Sequence, residues 1–247
     1  MTTRSIDAVV TGAASGIGLA TAQRIAREGY RVLAVDRDAE GLTRLAETGM
    51  VPLRADLSVA QDRDAIIEAA EGCRFLVNSA GIVLFKPILD VTIEDLRFVY
   101  AVNVESVWDL CSRLGRAMPE GGSIVNLGSS AAKFANTNQI ASYASSKAAV
   151  MAITRSFAQA YAARNVRVNT VSPGVIQTPM QDVVRDNSAA ARGLTVEQLE
   201  QARTATIPLG RAGTPEECAN VIWFLLSDQA AYMTGQSINV SGGQVTW

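Results

Sequence analysis

The chain predicts an α/β protein, a doubly wound parallel sheet of Rossmann type with helices on both faces. Three observations carry this prediction. Short apolar runs alternate with helical patterns along the whole chain, which calls for parallel strands joined by right-handed crossovers. The first apolar run passes through a glycine-rich turn directly into a helix, and the second ends on an acid, Asp36, 18 residues beyond Gly18. With no internal repeat and no linker, residues 1–247 read as one domain.

The first strand, Ile6 to Thr11, runs into Gly12-Ala13-Ala14-Ser15-Gly16-Ile17-Gly18. The helix that follows turns Ala22, Ile25 and Ala26 to one side, and Gly29 suits its end. This arrangement aims backbone N–H groups and a helix N-terminus at a phosphate, and the glycines let the backbone approach a pyrophosphate closely. A second strand covers Arg31 to Asp36. An acid at its end can accept hydrogen bonds from both adenosine ribose hydroxyls and repels a 2′-phosphate, which favours NAD over NADP. Arg37 blurs that preference, because a guanidinium can receive a 2′-phosphate.

A third strand, Met50 to Arg54, leads to Ala55-Asp56-Leu57. Asp56 could contact the adenine amine or cap the helix near 62–70; the sequence leaves both open. The fourth strand, Arg74 to Asn78, ends in Asn78-Ser79-Ala80-Gly81, where small residues admit a cofactor. Thr92-Ile93-Glu94-Asp95 reads as a capping box opening one long helix, 92–118, with Ile93, Leu96, Val99, Val107, Leu110 and Leu114 as its buried stripe. Asn103 lies inside this helix, where it could hold a water or bend the helix.

The fifth strand, Gly122 to Leu127, puts Ser130 near the carboxyl edge of the sheet, where ligands bind in open α/β folds. A polar loop, 133–142, precedes a helix over 142–163. On it Tyr143 and Lys147 share one face, one turn apart. A phenol titrates near pH ~10, and an adjacent ammonium favours its phenolate, so the pair reads as an acid/base device. A sixth strand, Val166 to Val171, is broken off by Ser172-Pro173-Gly174. Residues 180–206 read as a polar substrate-side lid with a short helix near 196–203 opened by Thr195. Thr214-Pro215-Glu216-Glu217 opens a helix to about Leu226, and Gln236 to Val240 is the last strand.

Composition narrows the chemistry. Hydrophobic content of 48% in 247 residues supports a large core, and a formal net charge of −2 gives no reason to expect nucleic acid or an anionic membrane as partner. Neither a signal peptide nor a membrane span is expected, so the reading is cytoplasmic. Cys73, Cys111 and Cys218 lack CxxC spacing and read as buried, inert thiols. Histidine is absent, which excludes His-based triads and imidazole zinc sites. No metal site is expected, and acid/base work falls to Tyr, Lys, Asp, Glu or water.

Taken together, these pieces resemble the short-chain dehydrogenase/reductase family over essentially the whole chain. The matching residues are Thr11 to Gly18, Asn78-Ser79-Ala80-Gly81, Asn103, Ser130, Tyr143-Ala144-Ser145-Ser146-Lys147, and Pro173-Gly174 with Thr178; Ser130 precedes Tyr143 by 13, as in the family. The resemblance implies Tyr143 as acid/base, with Lys147 lowering its pKa and holding the nicotinamide ribose. It implies Ser130 on the substrate oxygen and Asn103 on a relay water. It also implies Ile176 and Thr178 at the nicotinamide carboxamide, Asp56 and Leu57 beside the adenine, and a homotetramer formed through the long helices and last strand. Ser79 stands where the family usually has a second Asn, Glu105-Ser106 where it usually has Gly, and the helix after Asp56 is short for the family.

For the substrate, Asn136-Thr137-Asn138-Gln139 offers hydrogen-bonding groups to a sugar or polyol, with Gln139 the chosen contact, or is simply a solvated loop. The C-terminal half resembles family members acting on polyols, sugars and other secondary alcohols, and also 3-oxoacyl thioester reductases. A dehydrogenase is expected; an NAD-binding regulator that kept the fold is the non-enzymatic alternative.

Overall fold

The computed structural model describes residues 5–134 and 138–247. Asn136 and Thr137 of the expected substrate loop lie outside the described residues. Seven parallel strands form one sheet in the order β3-β2-β1-β4-β5-β6-β7. They are β1 (Ala8–Thr11), β2 (Val32–Asp36), β3 (Val51–Arg54), β4 (Phe75–Asn78), β5 (Ser123–Leu127), β6 (Arg167–Pro173) and β7 (Ser237–Val240). The order reverses between β1 and β4, whose last residues, Thr11 and Asn78, are register partners. That reversal opens a crevice at the carboxyl ends of the strands.

Alternation along each strand feeds two cores, which is why the strands read as continuous apolar runs. Val9, Leu33, Leu76, Ile124 and Val168 face one core, built with α3 (Ala60–Ala70), α5 (Ser106–Ala117) and α6 (Ala141–Tyr161). Ala8, Val10, Ala34, Val77 and Val125 face the other, built with α1 (Gly16–Arg27), α2 (Ala39–Ala46) and α9 (Pro215–Leu226). Capping boxes form at the expected openings Thr92 with Asp95 and Thr214 with Glu217, and at Thr195 the expected opening proves to be a further box, with Gln198. Cys73, Cys111 and Cys218 are free and buried, and burial pushes all three thiols up to about 12. Among the described residues no helix is long and apolar enough to cross a membrane.

Four expectations are corrected. The long helix over 92–118 is three pieces: α4 (Ile93–Tyr100), a wide π turn over Ala101–Glu105, and α5. Asn103 sits in the wide turn, and such turns mark functional positions in helices. Strand β6 continues through Pro173, which aligns with Val240 of β7. A helix went unread between β2 and β3: α2 is short, buries only Gly41, Leu42 and Leu45, and is capped by Asp38 accepting from Glu40 N–H at 3.1 Å. Finally, the segment after Thr178 is not an excursion with one short helix. It is a helical hairpin of α7 (Pro179–Arg192) and α8 (Val196–Thr204).

Candidate active site

A cavity of about 610 Å³ runs along the carboxyl ends of the strands. It is lined at one end by Gly12, Ser15, Gly16, Ile17, Gly18, Asp36, Arg37, Asp56 and Leu57. Further along come Ala80, Gly81, Ser130, Tyr143, Lys147, Pro173, Gly174, Ile176 and Thr178. Three expected site residues do not line it: Asn78, Asn103 and Gln139.

The glycine turn fits a dinucleotide. A Cβ on Gly18 would stand 2.0 Å from the Gly12 carbonyl oxygen, and one on Gly12 would meet the Ala80 backbone at 2.8 Å. The turn is therefore packed to backbone contact, as close approach to a pyrophosphate requires. Helix α1 starts here with an N-cap, Ser15, whose side chain makes no capping bond, and with no acid in its first turn. Its positive end is left for an anion. Asp36 stands across from the turn. Its Oδ2 accepts from Ala14 N–H at 3.0 Å and its Oδ1 from Asp38 N–H at 3.0 Å. Each oxygen has a further lone pair. Asp56 resolves toward neither bare alternative: it lines the cavity while Oδ1 accepts from both the backbone and the hydroxyl of Ser58, at 2.9 and 2.7 Å. Those bonds hold its carboxyl below the usual range.

At the other end, Lys147 on α6 is buried, and its Nζ donates to the Leu127 carbonyl at the end of β5 at 2.8 Å. Burial pushes this ammonium down to about 8. The Nζ lies 5.8 Å from the centre of the Tyr143 ring. The phenol itself departs from expectation. Burial raises its pKa, and the influence pulling it down is a hydrogen bond with the Ser129 side chain rather than the Lys147 charge. Desolvation sets the direction, because a phenolate taken out of water loses its hydration. Ser129 was missed by sequence reasoning, which weighed only the residue 13 before Tyr143. Ser130 opens a short 3₁₀ turn capped by Ser129, whose hydroxyl accepts from Ala131 N–H at 3.1 Å.

Asn103 is buried behind Gly81. Its Oδ1 accepts from Ile82 N–H at 2.9 Å, and its Nδ2 donates to the Ile82 carbonyl at 2.9 Å and to Ser146 Oγ at 3.0 Å. A Cβ on Gly81 would lie 3.3 Å from both Asn103 Oδ1 and Lys147 Nζ, so the two polar atoms converge on one glycine. Asn78 is a strut of the sheet, its Nδ2 donating to Asn126 Oδ1 at 2.8 Å. Gln139 contributes its backbone carbonyl to Lys86 N–H at 2.7 Å.

The hairpin of α7 and α8 walls the remaining side. Met180, Gln181, Val184, Ser188 and Arg192 of α7 line the cavity, with Leu199, Ala202 and Arg203 of α8. These recur at helical spacing, so one face of each helix is turned inward. A signal for α7 was present. Thr178 caps it, Pro179 holds its first position, and Gly193 ends it with φ +63°, the same grammar that marked the helix at Thr214.

Fold and site together define an oxidoreductase of the dinucleotide-binding α/β class. Residues 12–244 match the family described as enoyl-(acyl carrier protein) reductase. A 3-oxoacyl-[acyl-carrier-protein] reductase from Thermotoga maritima is 39% identical, over 96% of each chain. The galactitol 2-dehydrogenase (L-tagatose-forming) of Cereibacter sphaeroides is 38% identical over 97% of this chain and 95% of its own. Among solved structures, a protein assigned as an NAD(P)-dependent gluconate 5-dehydrogenase from Beutenbergia cavernae, with NADP bound at low occupancy, superposes with a TM-score of 0.83. It is 36% identical, over 96% of this chain and 95% of that one. The chain belongs to the short-chain dehydrogenase/reductase family.

Proposed function

We propose that the chain is an NAD-dependent dehydrogenase that interconverts a secondary alcohol and its ketone on a small hydroxylated substrate of the sugar or polyol type. The observation that carries this reading is one continuous cavity lined by Asp36, by the Tyr143–Lys147 pair and by the inward face of the α7–α8 hairpin. The glycine turn and the open end of α1 would hold the pyrophosphate, and the free lone pairs of Asp36 would accept from the adenosine ribose hydroxyls. Asp56 and Leu57 would flank the adenine, and Ile176 and Thr178 the carboxamide. Bound there, NAD supplies the acceptor for a hydride. The galactitol dehydrogenase relative supports the substrate class.

Tyr143 takes the hydroxyl proton of the alcohol, or returns it in reduction. Ser130 donates to the substrate oxygen as charge develops there. Lys147 holds positive charge beside the phenol, and Asn103 ties α6 to the Ile82 backbone, keeping that charge in place. Asn103 Oδ1, which converges with Lys147 Nζ on Gly81, would hold a relay water. The α7–α8 hairpin acts as the lid that excludes solvent. The chain works in the cytoplasm as a homotetramer; Trp108, 54% exposed beside Phe157 on the long helices, supports burial of that face.

Steady-state assays with NAD and NADP over a panel of polyols test the reading. NAD should be preferred, and Asp36→Ser should raise the NAD KM about 10-fold or more, the scale of losing hydrogen bonds to a charged group. A strong NADP preference in the unaltered protein overturns the cofactor assignment. The Thermotoga relative favours a second reading, 3-oxoacyl thioester reduction; faster turnover of such a thioester with NADPH than of any polyol with NAD would establish it.

A further inference from the structure

The substrate end of the cavity has an unbalanced charge. Beyond Tyr143 and Thr178 its polar lining consists of Gln181, Ser188, Arg192, Arg203, Thr206 and Gln244. Two of these are cations and none is an acid. Three of the hairpin's four acids are engaged on another arginine: Arg185 pairs with Asp182 at 2.9 Å, Asp186 at 2.9 Å and Glu200 at 3.6 Å; the fourth, Glu197, is held at the opening of α8 by Thr195. Glu200 is also the acid whose field Arg203 feels. Among the described residues neither Arg192 nor Arg203 forms an ion pair.

Arg203 is the better placed of the two. It is half-buried in the cavity wall, whereas Arg192 is exposed at the far end of α7. With the Gln181 carboxamide oxygen turned toward it, as the hydrogen-bonding pattern requires, Gln181 accepts from Arg203 Nη1 at 3.1 Å and also from Nη2. Gln181 stands in the first turn of α7, and its N–H reaches the Thr178 hydroxyl at 3.3 Å. The inner N–H of each terminal nitrogen thus goes to the Gln181 amide oxygen, in the cavity that also holds Thr178 and Tyr143. The outer N–H donors remain, and a half-buried guanidinium held by a neutral acceptor, with no carboxylate of its own, can receive one from a ligand along that outer edge in two parallel hydrogen bonds.

The geometry points to a hydroxylated substrate that carries a carboxylate, an aldonic acid or related hydroxy acid, with Arg203 as the specificity-determining residue that binds the acid while Tyr143 works on a carbinol along the same chain. This rests on the dehydrogenase reading above and narrows its substrate from neutral polyols to their acids. Arg192 supplies positive potential at the entrance, which draws anions in.

The test compares matched pairs with NAD: D-mannonate against D-mannitol, and D-arabinonate against D-arabinitol. Within each pair the hydroxyl run is the same and only the carboxylate differs. The acid should show the higher kcat/KM by about 10-fold or more, the scale of a charge-assisted bidentate contact. Arg203→Gln should raise KM for the acid by a similar factor with little change in kcat, and should leave KM for the polyol within about twofold, because the lost contact binds ground and transition states alike. Mannonate binding to the NAD complex, followed by calorimetry, should weaken in parallel, and Arg203→Lys should restore part of it. Polyols turned over as well as their acids, or an Arg203→Gln variant that loses both equally, overturns the inference and leaves the dehydrogenase reading standing. Preference for a neutral 3-hydroxyacyl thioester overturns it too. Failure of the dehydrogenase reading is a separate result: no member of either pair, nor any other secondary alcohol, would reduce NAD in a protein that still binds it.

Discussion

The two ends of the cavity are made of different material. At the cofactor end the wall is backbone: the Gly12–Gly18 turn packed to within van der Waals contact of itself, the open N-terminus of α1, and Asp36 fixed by two backbone N–H groups. At the substrate end the wall is side chain, one inward face each of α7 and α8, and these helices contribute little to either core. The buried residue of α7 is Ala189 and that of α8 is Leu199. A backbone wall fixes one ligand and tolerates almost no addition. A side-chain wall can be re-lined residue by residue while the frame holds, which suits a site whose substrate is what varies.

The largest effect is expected where the two ends meet. Tyr143→Phe removes the hydroxyl proposed to move the substrate proton and keeps the ring that lines the cavity. Turnover should fall about 10²- to 10⁴-fold, the usual contribution of a general acid/base, while NAD affinity, measured by fluorescence titration, stays within a few-fold. Unaltered turnover would remove Tyr143 from the chemistry and make the pair with Lys147 structural. Loss of NAD binding would instead show that the phenol belongs to the cofactor end.

Next comes the contrast itself. Gly18→Ala puts a methyl group against a backbone carbonyl that cannot move without opening the β1 turn, and overpacking of this kind costs about 1–3 kcal/mol. Ser188→Ala, on the inward face of α7, removes a hydroxyl from a half-buried position at a solvent-connected cavity and should stay within about 0.5 kcal/mol. Urea unfolding of the two variants side by side measures the difference. Equal destabilisation would erase the distinction between the two walls.

The same contrast governs what was legible in the sequence. Backbone-built features leave local signatures. A strand, a glycine turn and a helix stand in order, an acid ends the second strand, and Tyr143 and Lys147 fall one turn apart. The glycine turn, the acid-ended strand and the helix carrying Tyr143 and Lys147 could therefore be read before any coordinates. Helix α7 could not be read by periodicity, because its inward face lines a cavity and so is not apolar, and only its Thr178-Pro179 opening gave it away. The break at Asn103 was half legible: an Asn within a helical pattern signalled a bend, but the partner that explains it, the Ile82 backbone, is 21 positions away in sequence. Gln139 was chosen for its chemistry and its nearness to Tyr143 along the chain, yet the cavity's polar lining comes instead from Gln181, Arg203 and Gln244.

Lys147 offers a pH test at the junction. Its ammonium is pushed from 10.5 to about 8 by burial. The folded protein therefore sheds this proton near pH 8, whereas the unfolded chain keeps it to about 10.5. Between those values the unfolded state binds more protons, so this residue makes stability rise with pH. Below pH 8 the penalty of the buried charge is fully present, and above 10.5 it is gone. Lys147→Met should remove that rise. Its melting temperature, relative to the unaltered protein, should be most favourable at pH 7 and lose ground between pH 8 and 10.5. Parallel curves for the two proteins across that window would mean that water or an anion already neutralises the site.

The effect most confined to one region sharpens the comparison without altering the chemistry. Helices anchored by one small and one large buried residue should open without the sheet. In hydrogen exchange on the protein without ligand, the amides of 179–204 should exchange through a local opening well below the free energy of global unfolding, while those of β1, β4 and β5 should exchange only with it. Leu199→Ala deletes the large anchor, whose side chain is fully buried. A buried Leu to Ala change costs about 2–5 kcal/mol where the site cannot collapse. Here most of the loss should fall on the hairpin, accelerating exchange in 179–204 and leaving the Gly12–Gly18 turn and NAD affinity unchanged. If protection falls equally in β1 and in α7, the two walls share one cooperative unit, and the substrate end is as firmly built as the cofactor end.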